Sequence, residues 1–269
     1  MPNRRQPHPS ATVTSYLFPS GGRHLWPSGE TSNEVAHDRG HLVYAAKGVL
    51  SIASVHGNSI VPANRVSWTP AGVEHTHRAH GATDIRIVFL APSLARLLPD
   101  RPAVFLASGL AREVLLALTG PRNYRPGGER YSKGARSRLL RVLVEELREP
   151  NEQPLHLPEP KDDRLRSVAR QLRETPGDNS TLENLGREAG ASTRTLSRLF
   201  REELGMTFYE WRTQLRVHHA LVLLAEGHDT THIAHACGWA NPSGFIAAFT
   251  YLVGTTPGRY RAGGERDLQ

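Results

Sequence analysis

Residues 181–205, TLENLGREAGASTRTLSRLFREELG, and residues 230–254, TTHIAHACGWANPSGFIAAFTYLVG, are two copies of one pattern, and their reading decides the fold of the C-terminal half. A shift of 49 sets Leu196 on Phe245, Phe200 on Phe249, Gly205 on Gly254 and Trp211 on Tyr260. A shift of 48 sets Leu185 on Ile233 and Gly190 on Gly238. An internal repeat of this kind marks one supersecondary unit used twice. Each unit reads as helix-turn-helix. Ser180-x-x-Glu183 predicts a capping box for a short helix, Gly190 the turn, and Ser192 the cap of a second helix that Gly205 stops. In the second copy Asp229 or Thr230 caps, Gly238 turns, and Asn241-Pro242 opens a helix closed by Gly254. Thr207-x-x-Glu210 begins a long connecting helix that ends at Gly227.

The second helix of the first unit carries an arginine stripe. At about 100° per residue, Arg198 falls about 40° from Arg194 and Arg201 about 20° to its other side. Leu196, Leu199 and Phe200 occupy the opposite face. An arbitrary arginine stripe is a solvated helix face. On the second helix of such a motif it faces a major groove, where bidentate bonds to guanine form. Arg194 and Arg198 are therefore expected to meet bases, with Ser197 on the same DNA-facing side. Arg201, Arg212 and Arg216 are expected to meet phosphates, adding affinity that depends on salt and not on sequence. The second unit has no charged residue between Asp229 and Arg259. Phe245, Ile246 and Phe249 are predicted as its buried side, leaving Ser243, Gly244, Ala247 and Tyr251 outside for looser contacts.

Bulk charge does not decide the partner. The formal charge is +7, but residues 1–160 contribute net +6 and residues 161–269 only net +1. Nearly all of it is arginine, since the lysines are Lys47, Lys133 and Lys161 alone. With 269 residues, 38% hydrophobic and 22% charged, the chain is expected to fold as two domains. No apolar run reaches the roughly 18 to 20 residues of a membrane helix. The N-terminal MPNRRQPHPSATVTSY has no apolar core, so no signal peptide is expected. The single cysteine, Cys237, fits a reducing cytoplasm.

Upstream the texture changes twice. Residues 41–90 hold short strand-like runs, HLVYAA, GVLSIASV, NRVSW and IRIVFL, broken by glycines and prolines as in a small antiparallel sandwich or barrel. Residues 109–149 take helical periodicity, with Leu139, Leu140, Leu143, Val144 and Leu147 as an apolar stripe. That stripe is assigned to a homodimer contact, the alternative being packing onto the chain's own sheet. The proline-rich PNEQPLHLPEP, residues 150–160, reads as a linker.

Residues 162–261 resemble the DNA-binding domain of the AraC/XylS family of transcription regulators. The resemblance is carried by DDRLRSVARQL, TLENLGREAGASTRTLSRLFREELGMTFYEWRTQLR, ALVLLAEG, IAHACGWANPSGFIAAF and GTTPGRYR. It implies two recognition helices in adjacent major-groove segments of promoter DNA. Gly186 stands where the family usually has Ala, and Thr250-Tyr251 where basic residues are frequent. The glycine is expected to loosen the first helix by roughly 1 kcal/mol. Residues 24–90 resemble, over a shorter span, the cupin-like sensor domain of one subgroup. HDRGHLVYAAKGVL and NRVSWTPAGVEHTH are similar to the two cupin boxes, although Val35 replaces the first histidine and His41 the usual Glu or Gln.

The resemblance implies that His37, His41 and His75 share one cavity, where three imidazoles suit Zn, Ni, Co or Fe(II). The expectation is that they hydrogen-bond a small-molecule organic effector, with a metal-sensing regulator built on the same three histidines as the alternative. His77 and His80 are expected to be exposed. Glu74 and Asp84 show no catalytic spacing and no nucleophile or phosphate-loop motif occurs, so no enzyme is expected. A cupin metalloenzyme with an appended DNA-binding domain is the alternative.

The whole reading is an α+β two-domain protein. A cupin-like β-barrel with a helical dimerisation segment spans 10–149, a linker 150–160, and an all-α double helix-turn-helix domain 161–262. Its expected partners are promoter DNA, a small-molecule effector, a second copy and RNA polymerase, with no membrane.

Overall fold

Two long strands, β2 (His41–Ser54) and β5 (His75–Phe89), pair antiparallel along nearly their whole length and organise the N-terminal half. The computed structural model describes residues 21–120, 131–147 and 152–266, so the expected start of the sensor at residue 10 lies outside the described residues. The register between β2 and β5 shifts between Ala45 and Val49. Gly48 sits there at φ +78°, and a side chain would meet the Thr83 hydroxyl at 2.5 Å. This bulge bends the pair, as extra residues in a ladder do. The first half of β2 pairs with β4 (Arg65–Thr69) and the second half with β3 (Gly57–Pro62). β1 (Gly22–Trp26) lies on β5, and β6 (Ala103–Leu106) on β4. The resulting path, β1-β5-β2-β3 with β4 and β6 off β2, stays open. A closed barrel is therefore not formed by the pairings among the described residues.

Alternation along the strands gives the sheet two apolar faces. Val43, Ala45, Leu50, Ile52, Val61, Ile85, Ile87 and Phe89 pack together on one, with Trp26 against them. Leu42, Tyr44, Val66, Trp68 and Val88 face the other way, onto α1 (Pro92–Ala95), α2 (Gly109–Thr119) and α3 (Lys133–Glu146). The stripe assigned to a dimer contact belongs to this second core. Leu143, Val144 and Leu147 are buried in it, and Leu139 and Leu140 pack against it. The expectation is corrected: helix α3 spends its apolar face on its own chain, because the sheet otherwise leaves Trp68 and Phe105 uncovered on that side.

The expected linker also changes character. Residues 156–158 form β7 (His156–Pro158), an edge strand that pairs Ser59 with His156, Asn58 with Leu157 and Gly57 with Pro158. Leu155 and Leu157 are buried, and the Ile60 amide donates to the Leu155 carbonyl at 3.0 Å. Four prolines do exclude a helix, but the extended backbone they favour suits an edge strand equally well.

The C-terminal half is helical throughout: α4 (Asp163–Glu174), α5 (Leu182–Glu188), α6 (Thr193–Leu204), α7 (Phe208–Ala225), α8 (Thr230–Ala236), α9 (Pro242–Val253) and α10 (Pro257–Arg266). Ser192, Thr207, Asp229 and Asn241 cap α6 to α9 as read from the sequence, and Thr207–Glu210 closes a full capping box. The cap of α5 is Thr181 rather than Ser180, whose amide instead donates to Asp178 Oδ1 at 2.7 Å. Gly205 and Gly254 take positive φ after α6 and α9. Gly186 proves to be demanded by packing. A Cβ there would lie 2.5 Å from the Ala191 carbonyl oxygen, which rides against α5 through the turn.

The two halves share a core. Val49, Ile60 and Val104 of the sheet pack with Val217, Ala220, Leu221 and Leu224 of α7 and with Ile233, Phe245 and Phe249 of the second unit. Leu157 of β7 joins the first unit's core. The Arg65 guanidinium donates to the Val253 carbonyl, at the C-terminal end of α9, at 2.6 Å, and the Ala63 amide to the Tyr260 hydroxyl at 3.2 Å.

Candidate nucleic-acid interface and histidine cluster

Helix α6 is amphipathic in the simplest sense. Leu196, Leu199, Phe200 and Leu204 are buried in the first unit, while Arg194, Arg198 and Arg201 are exposed and Ser197 is half-buried between them. Arg198 forms an ion pair with Glu202 one turn on, a partner that charge spacing (i, i+4) would have disclosed. Three guanidinium groups on one solvent face form a surface suited to bases and phosphates.

Arg212 and Arg216 lie elsewhere. Both sit on α7, whose sides pack against both units. Arg216 is only 8% exposed; it donates to the Pro176 carbonyl at 3.2 Å, the Asp178 carbonyl at 2.8 Å and Asn179 Oδ1 at 2.9 Å, and it lies over the Trp239 ring. Burial lowers its basicity. Arg212 stacks on Phe208 and donates to the Ser180 carbonyl at 2.9 Å. The expectation that both meet phosphates is corrected for Arg216, and Arg212 is half-buried in the same service. Together they fix the 176–180 loop that launches α5. Periodicity alone did not separate them from Arg201, because it does not show what packs across a connecting helix.

On α9 the buried face is Phe245, Phe249, Leu252 and Val253. Ile246, expected inside, is exposed, one helical step round from Phe245. It joins Ser243, Gly244, Ala247 and Tyr251, the last 87% exposed, in an uncharged outer face.

The sheet assembles the other site. His41 opens β2 and His75 opens β5, while His37 is held from the loop before β2, its carbonyl accepting the Gly72 amide at 2.8 Å. Ring centroids of His37 and His41 are 4.9 Å apart, those of His41 and His75 4.9 Å, and those of His37 and His75 5.5 Å. One nitrogen from each lies within 4.8 Å of the others. His75 Nδ1 bonds the Val73 carbonyl at 2.8 Å. His75 Nε2 and both nitrogens of His41 are buried without a partner among the described residues. Leaving such atoms unpaired is costly, and a bound ion or water would satisfy them.

His77 is a correction. Strand alternation puts it on the face of His75, and since His75 points inward so does His77, 7% exposed and 4.8 Å from the His75 ring. Its Nε2 is likewise unpartnered among the described residues. Burial, and then the neighbouring imidazoles, hold His41 well below the usual histidine range and push His77 down to about 3. The cluster is therefore neutral at pH 7, with lone pairs available to a metal. Phe89 closes one wall, 5.1 Å from His37 and 5.4 Å from His41. His80 turns the other way and bonds Ser51 Oγ at 2.7 Å. The residues fit a metal by donor type and burial.

A family model described as a helix-turn-helix domain matches residues 185–263. The HTH-type transcriptional regulator NimR of Escherichia coli K12 is 31% identical over 232 residues, which is 86% of this chain and 83% of that protein. The regulator RipA of Corynebacterium glutamicum is 36% identical over 107 residues, 40% of this chain and 32% of its own. A solved structure of unsaturated fatty acid-bound ToxT from Vibrio cholerae superposes with TM-score 0.38 and 12% identity over 90% of this chain and 94% of that one. No helix among the described residues is long and apolar enough to cross a membrane. A duplicated helix-turn-helix with an arginine face, and a relative named as a regulator that matches most of both chains, lead to one conclusion. The protein is a regulator and not an enzyme, and it belongs to the AraC/XylS family of DNA-binding transcription regulators.

Proposed function

We propose that a ligand held by the histidine cluster controls how this regulator engages promoter DNA. The observation that carries the reading is the pairing of an exposed arginine face on α6 with a histidine cluster in the other half whose buried ring nitrogens on His41, His75 and His77 include several without a partner among the described residues. Arg194 and Arg198 read bases, Ser197 and Arg201 secure the backbone, and Ser243 and Ala247 of α9 make looser contacts. Arg212 and Arg216 serve by holding the loop before α5. A ligand shifts the regulator only to the extent that it binds one arrangement of the two halves better than another.

For the ligand itself, a divalent metal on His37, His41 and His75 is favoured over an organic effector alone, because neutral imidazole nitrogens suit Zn, Co, Ni or Fe(II). The metal supplies a Lewis-acidic centre when bound. The same proposal makes the sensor cupin-like and the working form a cytoplasmic homodimer that contacts RNA polymerase. Such a dimer uses a surface other than the Leu139–Leu147 stripe. Operator selection from random duplexes, followed by binding of the full chain with and without stoichiometric metal, tests the reading. A shift in operator affinity on metal loading, abolished in the His37→Ala/His41→Ala/His75→Ala variant, is expected. Equal affinity under both conditions, with metal bound, defeats control by the cluster.

A further inference from the structure

The donors of the histidine cluster bring no negative charge. The acids nearest in sequence, Glu34, Asp38 and Glu74, are all exposed. Asp38 is 93% exposed at its side chain and leans on Arg39 at 3.8 Å rather than on the cluster. A divalent ion bound by three imidazoles thus keeps its double charge in a buried setting, which is strongly unfavourable unless something compensates it. Three protein donors also leave at least one position of a tetrahedral ion open.

His77 borders that space without belonging to the donor set. Its ring is 6.4 Å from His41 and 6.5 Å from Trp26, which meets it edge-on, and its buried Nε2 has no partner among the described residues. A neutral imidazole with the proton on Nε2 donates a hydrogen bond. At the rim, the Arg39 guanidinium lies 5.1 Å over the Phe89 ring, the same ring that contacts His37 and His41. Trp26 and Phe89 therefore offer apolar contact beside a polar donor, with the Arg39–Asp38 ion pair next to Phe89.

We propose that the cluster takes its metal together with a small monoanion of carboxylate size, which fills the open position and accepts a hydrogen bond from His77. The inference rests on the reading of His37, His41 and His75 as metal donors. It makes metal and anion cooperative: each raises the affinity of the other by the same factor. It also makes His77 the selector of the second ligand, while the other three histidines set the affinity for the metal.

The test uses the full chain, stripped of metal and titrated with Co(II) in chloride-free buffer, with metal content and the visible ligand-field spectrum as readouts. Azide, formate and acetate are then added separately. The expected result is one Co(II) per chain, a saturable spectral change with at least one anion, and Co(II) affinity at least tenfold higher in its presence. His77→Phe is expected to keep the one-to-one stoichiometry and lose tenfold or more in anion affinity, and His77→Gln, which retains a donor, to recover part of that loss. Co(II) uptake with a spectrum indifferent to every anion overturns the proposal and leaves the metal reading standing. Anion binding unchanged in both His77 variants removes His77 from it. No Co(II) uptake by the wild-type chain overturns the metal reading and the anion with it.

Discussion

Arg198, Arg201 and Arg216 look alike in the sequence, and only their surroundings separate them. Arg198→Ala is expected to relax discrimination at one base pair by about 1–3 kcal/mol, read as relative affinity for single-substituted operators. Arg201→Ala is expected to weaken all sequences alike and reduce the slope of log affinity against log salt by about 1. Arg216→Ala behaves differently from both. Three hydrogen bonds to the 176–180 loop disappear, so it is expected to lower unfolding stability by about 1–3 kcal/mol and leave the salt slope of the remaining folded protein unchanged. Gly186 reverses a reading made from propensity. Alanine should gain about 1 kcal/mol in an exposed helix. Here its methyl meets the Ala191 carbonyl at 2.5 Å, so Gly186→Ala is expected to lose about 1–3 kcal/mol net in chemical denaturation.

At the scale of elements, the caps were legible because a capping side chain satisfies its own neighbours. Ser192, Asp229 and Asn241 act within three residues of themselves, so local sequence contains the whole interaction. The repeat was legible for a similar reason. What local sequence did not contain was the destination of an apolar face. Leu143 on α3 reads equally as a contact between copies or within one chain, and the structure puts it in the intrachain core with Val114 and Leu115 of α2. Leu143→Ala is accordingly expected to cost about 2–5 kcal/mol of stability and to leave the association state, read by sedimentation, unchanged. The strand β7 illustrates the same limit, since prolines exclude a helix without saying whether an edge waits to be paired. The histidine cluster was three-quarters legible. His37, His41 and His75 came from the resemblance of the two boxes, and His77 was missed although strand alternation alone links it to His75.

The whole molecule adds a response to acid that no single element has. His218 of α7 and His156 of β7 lie close together where the sheet meets the helical half. Burial pushes His218 down to about 3 and His156 down to about 4. In the unfolded chain each titrates near 6.5, so between pH 6.5 and about 4 the unfolded state binds more protons than the folded one. Stability is therefore complete above pH 7 and is lost as pH falls through this window, at up to about 1.4 kcal/mol per pH unit for each group. Denaturant unfolding at several pH values checks this, and His218→Leu is expected to flatten the acid limb.

The strand β7 passes straight into α4, with only residues 159–162 between the edge of the sheet and the first helix of the reading half. The chain there has no slack. A tether of that length, already paired at one end, keeps the reading half at a very high effective concentration beside the sheet. A flexible insert of twenty residues after Pro160 would reduce it to the order of millimolar. Movement between the halves is therefore governed by breaking specific contacts, such as Arg65 with the end of α9, rather than by diffusion on a leash. On the proposed reading, a ligand in the sheet would work against a stiff joint, and even a small difference in how tightly it binds two arrangements would be delivered to the helical half instead of being absorbed by loose chain.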